Sequence, residues 1–302
     1  MAAAVASIWG FNFVVISWGM SGDGREVPPL LFAAVRFALV AVPAVFFIPR
    51  PNVAWRTVVA IGSFMSLGQF AFLYLAMDQG LAPGLAALVL QAQVIFTIVI
   101  AALALSERPS AVQTAGVTIG SIGLVVVAAG RGGGSPFVPL LLCLMGALSW
   151  GVGNVISRAS GASSGLSLTV WSATIVPVPM FVLSLMIDGP SEVRDAVSSV
   201  SWQAGVSTLY TVVLASLVGY TIFNSLLGRY ESAAVVPWVL LAPAVAMASA
   251  WLLLGDRPAT GELVGGGLLV IGVLVALRPA RVASSVSEPM VTDDFVPEPA
   301  TP

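Results

Sequence analysis

APGLAALVLQAQVIFTIVIAALALSERP, residues 82–109, carries no charge from Pro83 to Leu105 and halts at Glu107-Arg108-Pro109. A run of roughly 20 apolar residues can cross a hydrocarbon core of about 30 Å, where a helix satisfies its own backbone polar groups. The stretch therefore predicts a membrane-spanning helix. Its pattern returns later in the chain. The run from Ala233 to Leu254 halts at Gly255-Asp256-Arg257-Pro258, and each halt is followed by a Gly-rich apolar segment. Self-similarity on this scale in so apolar a chain marks a transporter or channel built from two related halves.

Composition points to the same class. The 302 residues are 58% hydrophobic and 9% charged, with a mean hydropathy of +1.00, too little polar surface to cover a water-soluble fold. Cys143 is the sole cysteine, so neither a disulfide framework nor a Cys-based zinc site can form. Histidine and lysine are absent, all twelve basic residues are arginine, and the net charge is −2. That balance gives nucleic acid nothing to bind. No cofactor or metal is expected.

Apolar runs fall at about 2–20, 30–48, 57–77, 83–105, 111–129, 137–156, 166–187, 204–227, 233–254 and 261–277. The predicted fold is an all-α integral membrane protein of ten transmembrane helices. A signal peptide is a poor account of the first run, because no basic residue precedes Arg25 and Trp9 and Asn12 interrupt the apolar core. Residues 281–302, rich in Ser, Pro and acid, predict a disordered tail.

Arginine placement orients the spans. With the N-terminus in the cytoplasm, Arg50, Arg56, Arg108, Arg158, Arg229, Arg278 and Arg281 lie inside and Arg25, Arg131, Arg194 and Arg257 outside, seven against four. Both termini are then cytoplasmic. Five helices per half is an odd number, so the halves, residues 1–130 and 131–280, cross in opposite senses as an inverted repeat, the arrangement used for alternating access.

A second mark of the repeat opens each half. Trp9-Gly10-Phe11-Asn12 is answered by Trp150-Gly151-Val152-Gly153-Asn154. Spacings of three and four residues keep Trp and Asn on one helix face. An asparagine facing lipid would leave its amide unsatisfied, so each should face protein or a wet cavity, either lining the pathway or hydrogen-bonding between helices.

These features together resemble the drug/metabolite transporter superfamily of the EamA type: the ten-helix inverted repeat, the Trp-Gly-x-Asn start, Arg36-Phe37 in the second helix, and the two acidic-Arg-Pro halts. The similarity runs from Trp9 to Leu277. More narrowly, WGFNFVVI at 9–16, GQFAFL at 68–73, LAALVLQAQ at 85–93 and LGRYE at 227–231 are similar to the bacterial exporters of O-acetylserine and cysteine. The resemblance implies a secondary transporter in the bacterial cytoplasmic membrane that exports small amino-acid-like metabolites as a monomer or homodimer. A broader drug or metabolite efflux carrier of the same fold is the alternative. It also implies that the first four helices of each half enclose a cavity while the fifth is peripheral. Here the fifth and tenth carry the glycines, Gly116, Gly120 and Gly123 against Gly261, Gly265, Gly266, Gly267 and Gly272, which suits close helix packing or subunit contact.

The candidate substrate-contacting residues are therefore Trp9, Asn12, Arg36, Gln69, Gln91, Gln93, Trp150, Asn154, Trp171, Tyr220, Asn224 and Trp238. Gln91 and Gln93 point about 200° apart on a regular helix, so one should brace a neighbour. Trp171 and Trp238 either wall a pocket or sit at the membrane interface. Arg36 lies about 9 Å into its helix, placed either to snorkel or to meet a substrate carboxylate. No Asp or Glu falls mid-span, so no proton carrier is evident. Gly161-Ala162-Ser163-Ser164-Gly165 matches the nucleophile-elbow pattern, but without histidine to activate a serine it predicts a loop, not an enzyme. A channel would need a ring of charges or a filter motif, and neither is present.

Overall fold

A computed structural model describes residues 1–21, 27–130, 137–162, 165–230, 235 and 238–278, and the expected tail lies outside them. The described residues form helices and turns, with no strand among them. Seven helical stretches are long and apolar enough to cross a membrane: Ala2–Met20, Trp55–Asp78, Pro83–Ala104, Ala111–Gly130, Phe137–Ala159, Gly165–Ile187 and Trp202–Phe223. Three shorter apolar helices, Pro29–Ala44, Ala242–Leu254 and Thr260–Ala276, accompany them.

Local chemistry sets the helix boundaries. Proline stands in the first turn of the helices beginning at Pro29, Pro83, Pro177, Pro190 and Ala242, where its missing N–H is not needed. Ser110 and Gln113 form a reciprocal cap that starts Ala111–Gly130 directly after the Glu107-Arg108-Pro109 halt. Both halts turn through a left-handed residue, Ser106 at φ 54° and Gly255 at φ 74°. An unanticipated short helix, Pro190–Ser198, lies between two of the long stretches.

Three long stretches depart from regular α-helix. Pro83–Ala104 breaks at Leu90-Gln91, and Ala242–Leu254 is preceded by a similar turn at Leu240-Leu241. Gly62–Gly68 and Tyr210–Val218 are π-helical, the first inside Trp55–Asp78 and the second directly after Trp202–Leu209. π-Helical turns are found mostly at functional sites, and broken helices at matched positions of two halves point to a substrate site.

The Gly-patterned helices pack on each other. A Cβ on Gly272 would come within 2.3 Å of the Gly120 backbone nitrogen, and one on Gly116 within 2.4 Å of the Ala276 nitrogen. Gly123 meets Leu269 and Gly265, and Gly130 meets Gly261, in the same way. Bare glycine faces let the two backbones touch, which supplies van der Waals energy where lipid offers no hydrophobic drive. Ala111–Gly130 and Thr260–Ala276 thus spend their glycines within the chain.

Contacts between distant segments also sort the helix ends. Arg158, at the end of Phe137–Ala159, pairs with Glu107, and Trp171 Nε1 donates to the Ile48 carbonyl at 3.0 Å. Trp55 stacks edge-on with Trp171 and carries Arg50 over its face. Trp18 and Trp202 meet edge-on at a different place, between the end of one helix and the start of another.

Candidate functional site

Trp9 sits where the first helix meets the π-helical segment Tyr210–Val218. Its indole Nε1 donates to the Ala215 carbonyl at 2.9 Å, and its ring packs on Tyr220 and Phe223, both at 5.2 Å between centroids. Gly219 makes this possible, since a Cβ there would lie 2.6 Å from the indole nitrogen. Tyr210 donates its hydroxyl to the Ile8 carbonyl at 3.0 Å, and Ser207 donates to the Val15 carbonyl at 2.6 Å. Carbonyls of the first helix and of the π-helical segment are thereby satisfied across the interface.

Asn12 shares the Trp9 face of the helix. It is 8% exposed, and its Oδ1 has no hydrogen-bond partner among the described residues. Asn154, its counterpart in the repeated motif, has its amide nitrogen engaged. Its Nδ2 donates to Gln93 Oε1 at 2.7 Å and to Thr97 Oγ1 at 3.2 Å. Gln93 is therefore the glutamine that braces a neighbouring helix, while Gln91 sits half-buried at the helix break. Trp150 is half-buried one turn before Asn154. Next to it, Ser149 donates to the Phe64 carbonyl at 2.7 Å, inside the π-helical segment Gly62–Gly68.

Arg36 is 6% exposed. Its Nη1 donates to the Tyr74 hydroxyl at 3.2 Å, and its guanidinium lies over Phe70 at 5.0 Å and Phe37 at 5.8 Å. A snorkelling arginine keeps its head at the surface, so this burial sets that alternative aside. Gln69, on the turn before Phe70, is also buried.

Not every predicted residue joins these clusters. Trp171 packs at a helix end against Ile48 and Trp55, the setting of an interfacial anchor. Trp238 is half exposed at the turn before Ala242–Leu254. The Asn224 side chain lies outside the described residues, as do Ser163 and Ser164 of the elbow-like run. Sequence reasoning missed Tyr74, Tyr210, Thr97 and Ser149. A phenol or hydroxyl inside an apolar run was the available signal, because such a group needs a partner in lipid.

The EamA-like transporter family model matches residues 1–129 and 138–278. A protein of Salmonella typhimurium named "Probable amino-acid metabolite efflux pump" is 38% identical over 288 residues, covering 93% of this chain and 95% of that protein. Its namesake in Escherichia coli is 38% identical over 281 residues, covering 91% and 93%. A "Probable terminal-alkyne amino-acid exporter" of Streptantibioticus cattleyicolor is 25% identical over 288 residues, covering 90% and 93%. One solved crystal structure superposes with a TM-score of 0.59 at 20% identity, covering 91% of this chain and 94% of that one, a likeness of fold. With the family match over residues 1–129 and 138–278 and seven apolar membrane-length helices among the described residues, this chain belongs to the EamA-like transporter family and is a multi-pass membrane transporter.

Proposed function

We propose that the protein exports small amino-acid-like metabolites, of the O-acetylserine and cysteine type, across the bacterial cytoplasmic membrane. The observation that carries this reading is the 38% identity, over nearly the whole chain, to two proteins named as amino-acid metabolite efflux pumps. Ten crossings in two inverted five-helix halves, residues 1–130 and 131–280, would supply alternating access. Four features support that arrangement: the paired Trp and Asn residues, the two π-helical segments, the two helix breaks at Leu90-Gln91 and Leu240-Leu241, and the family match over residues 1–129 and 138–278. The substrate pathway in this reading is lined by Trp9, Asn12, Arg36, Gln69, Gln91, Trp150, Tyr220 and Asn224, with Gln93 and Asn154 tying helices beside it.

Uptake of labelled cysteine and O-acetylserine into inverted vesicles tests the reading, with and without a proton gradient. Saturable flux above that of empty vesicles is expected. Ohmic current without saturation would replace the carrier with a channel, and flux of unrelated drugs alone would favour the broader efflux carrier.

A further inference from the structure

Arg36 is a buried charge that forms no ion pair among the described residues. Its one described hydrogen bond goes to a neutral phenol, Tyr74, and its remaining contacts are the faces of Phe70 and Phe37. Those contacts soften the burial of a cation but carry no negative charge. The ion pair among the described residues is made elsewhere, by Arg158 and Glu107. Each described acid lies in a loop, at a helix terminus or in the short helix Pro190–Ser198, and none lies mid-span. A guanidinium has five N–H donors in a planar fork, and the Tyr74 bond uses one of them. The Tyr74 hydroxyl accepts that bond and so keeps its own proton to donate.

We propose that Arg36, with Tyr74 beside it, is the carboxylate-binding site of the cargo, and that the protein recognises the carboxylate without reading the α-amine by charge. A carboxylate offers the fork two parallel charge-assisted hydrogen bonds and supplies the missing negative charge. An ammonium needs an anionic partner to be recognised by charge, and the described membrane-length helices offer none away from their ends. Asn12 Oδ1, a buried acceptor without a partner among the described residues, is a neutral amide. The accepted class is therefore small monocarboxylates, with the amine free or acylated, and it excludes the corresponding amines. This inference rests on the exporter reading above and narrows its substrate class.

Two measurements on the unmodified protein test it without relying on a variant to fold. In inverted vesicles loaded by labelled cysteine, N-acetylcysteine should compete about as well as cysteine, and cysteamine, which lacks the carboxylate, should not compete. In lipid nanodiscs, N-acetylalanine and alanine should each raise the melting temperature, and ethylamine should leave it unchanged. Competition by cysteamine equal to that of cysteine, or by cysteine but not N-acetylcysteine, would overturn the proposal. Arg36→Lys should keep the membrane-inserted amount and maximal flux while raising the half-saturating cysteine concentration about tenfold, a loss of about 1.4 kcal/mol. An unchanged half-saturation in Arg36→Lys would likewise remove the residue from the site. Absence of any cysteine flux would count against the exporter reading alone, since the nanodisc measurement still decides between carboxylate and amine.

Discussion

The Trp9 indole and the Ala215 carbonyl, 206 positions apart in the chain, hydrogen-bond at 2.9 Å inside a π-helical segment. A matching bond runs the other way. Ser149, beside the second Trp-Gly motif, donates to Phe64 in the π-helical segment of the first half at 2.7 Å. Each irregular helix thus receives a donor from the motif helix of the opposite half, and a glycine makes room for each donor, Gly219 for Trp9 and Gly68 for Ser149. Removing the Trp9 donor leaves the buried Ala215 carbonyl short of a partner, a loss of about 1–3 kcal/mol, and removing Ser149 deprives the Phe64 carbonyl of its side-chain donor. Trp9→Phe keeps an aromatic ring against Tyr220 and Phe223 but loses the N–H. It should lower the melting temperature in nanodiscs and speed amide exchange across residues 210–218. Ser149→Ala should do the same across residues 62–68. Unchanged exchange in both variants would show that the π-helical geometry does not depend on these bonds.

The two motif asparagines should respond differently to the same substitution. Asn154→Leu deletes two interhelical bonds, to Gln93 and Thr97, each worth about 1 kcal/mol in a membrane. Folded protein and flux should fall together. Asn12→Leu removes an amide oxygen that has no partner, so the folded amount should hold while flux drops if the residue meets cargo. Size-exclusion profiles alongside vesicle flux separate these outcomes, and parallel loss in both variants would make Asn12 a packing residue as well.

Glycine substitutions should divide by face. Gly272→Ala would drive a methyl to 2.3 Å from the Gly120 backbone nitrogen, and overpacking of this kind costs about 1–3 kcal/mol. Gly267 has nothing within 4 Å of an added Cβ. Gly267→Ala should therefore be neutral while Gly272→Ala destabilises, as read by melting temperature in detergent. Equal melting temperatures would mean that the two helices move apart at no cost.

Orientation can be read with single cysteines in a Cys143→Ala background, a mild change because Cys143 is buried with only a weak Sγ bond to the Ala86 carbonyl. Cysteines at Ala111 and after Pro302 should resist impermeant thiol reagents in intact cells, and one at Ser191 should react. External labelling of the C-terminal cysteine would reverse the arginine-based assignment.

Burial raises the Asp256 carboxyl above its ordinary range, in the turn after Ala242–Leu254. A carboxyl whose folded value lies above its unfolded one binds its proton more tightly when folded, so stability falls as pH rises through that window. At neutral pH the ionised form carries a penalty that Asp256→Asn lacks, a small one because the group stays partly solvated. Asp256→Asn should equal or exceed the parent's melting temperature at pH 7 and lose that advantage below the ordinary carboxylate range. A clear drop at pH 7 would reveal a favourable partner for the carboxylate.

Much of this architecture was legible in the residues alone. In lipid a helix satisfies its own backbone, so uninterrupted apolar length was enough to place most of the membrane-length stretches, and the Glu107-Arg108-Pro109 and Asp256-Arg257-Pro258 halts marked their ends. The glycine stripes announced a tight interface, though only the fold showed that Gly116 and Gly272 belong to one interface inside the chain and need no second subunit. What lay beyond the sequence shares one physical cause. A π-helical turn is a local loss made good by a group from elsewhere, Trp9 for Ala215 and Ser149 for Phe64, and the buried Arg36 guanidinium likewise meets Tyr74 from another helix. The chain codes each member of such a pair separately, as a lone polar or aromatic residue in an apolar run. Which two meet, and hence that Asn154 is paired while Asn12 is not, is decided only when the helices pack.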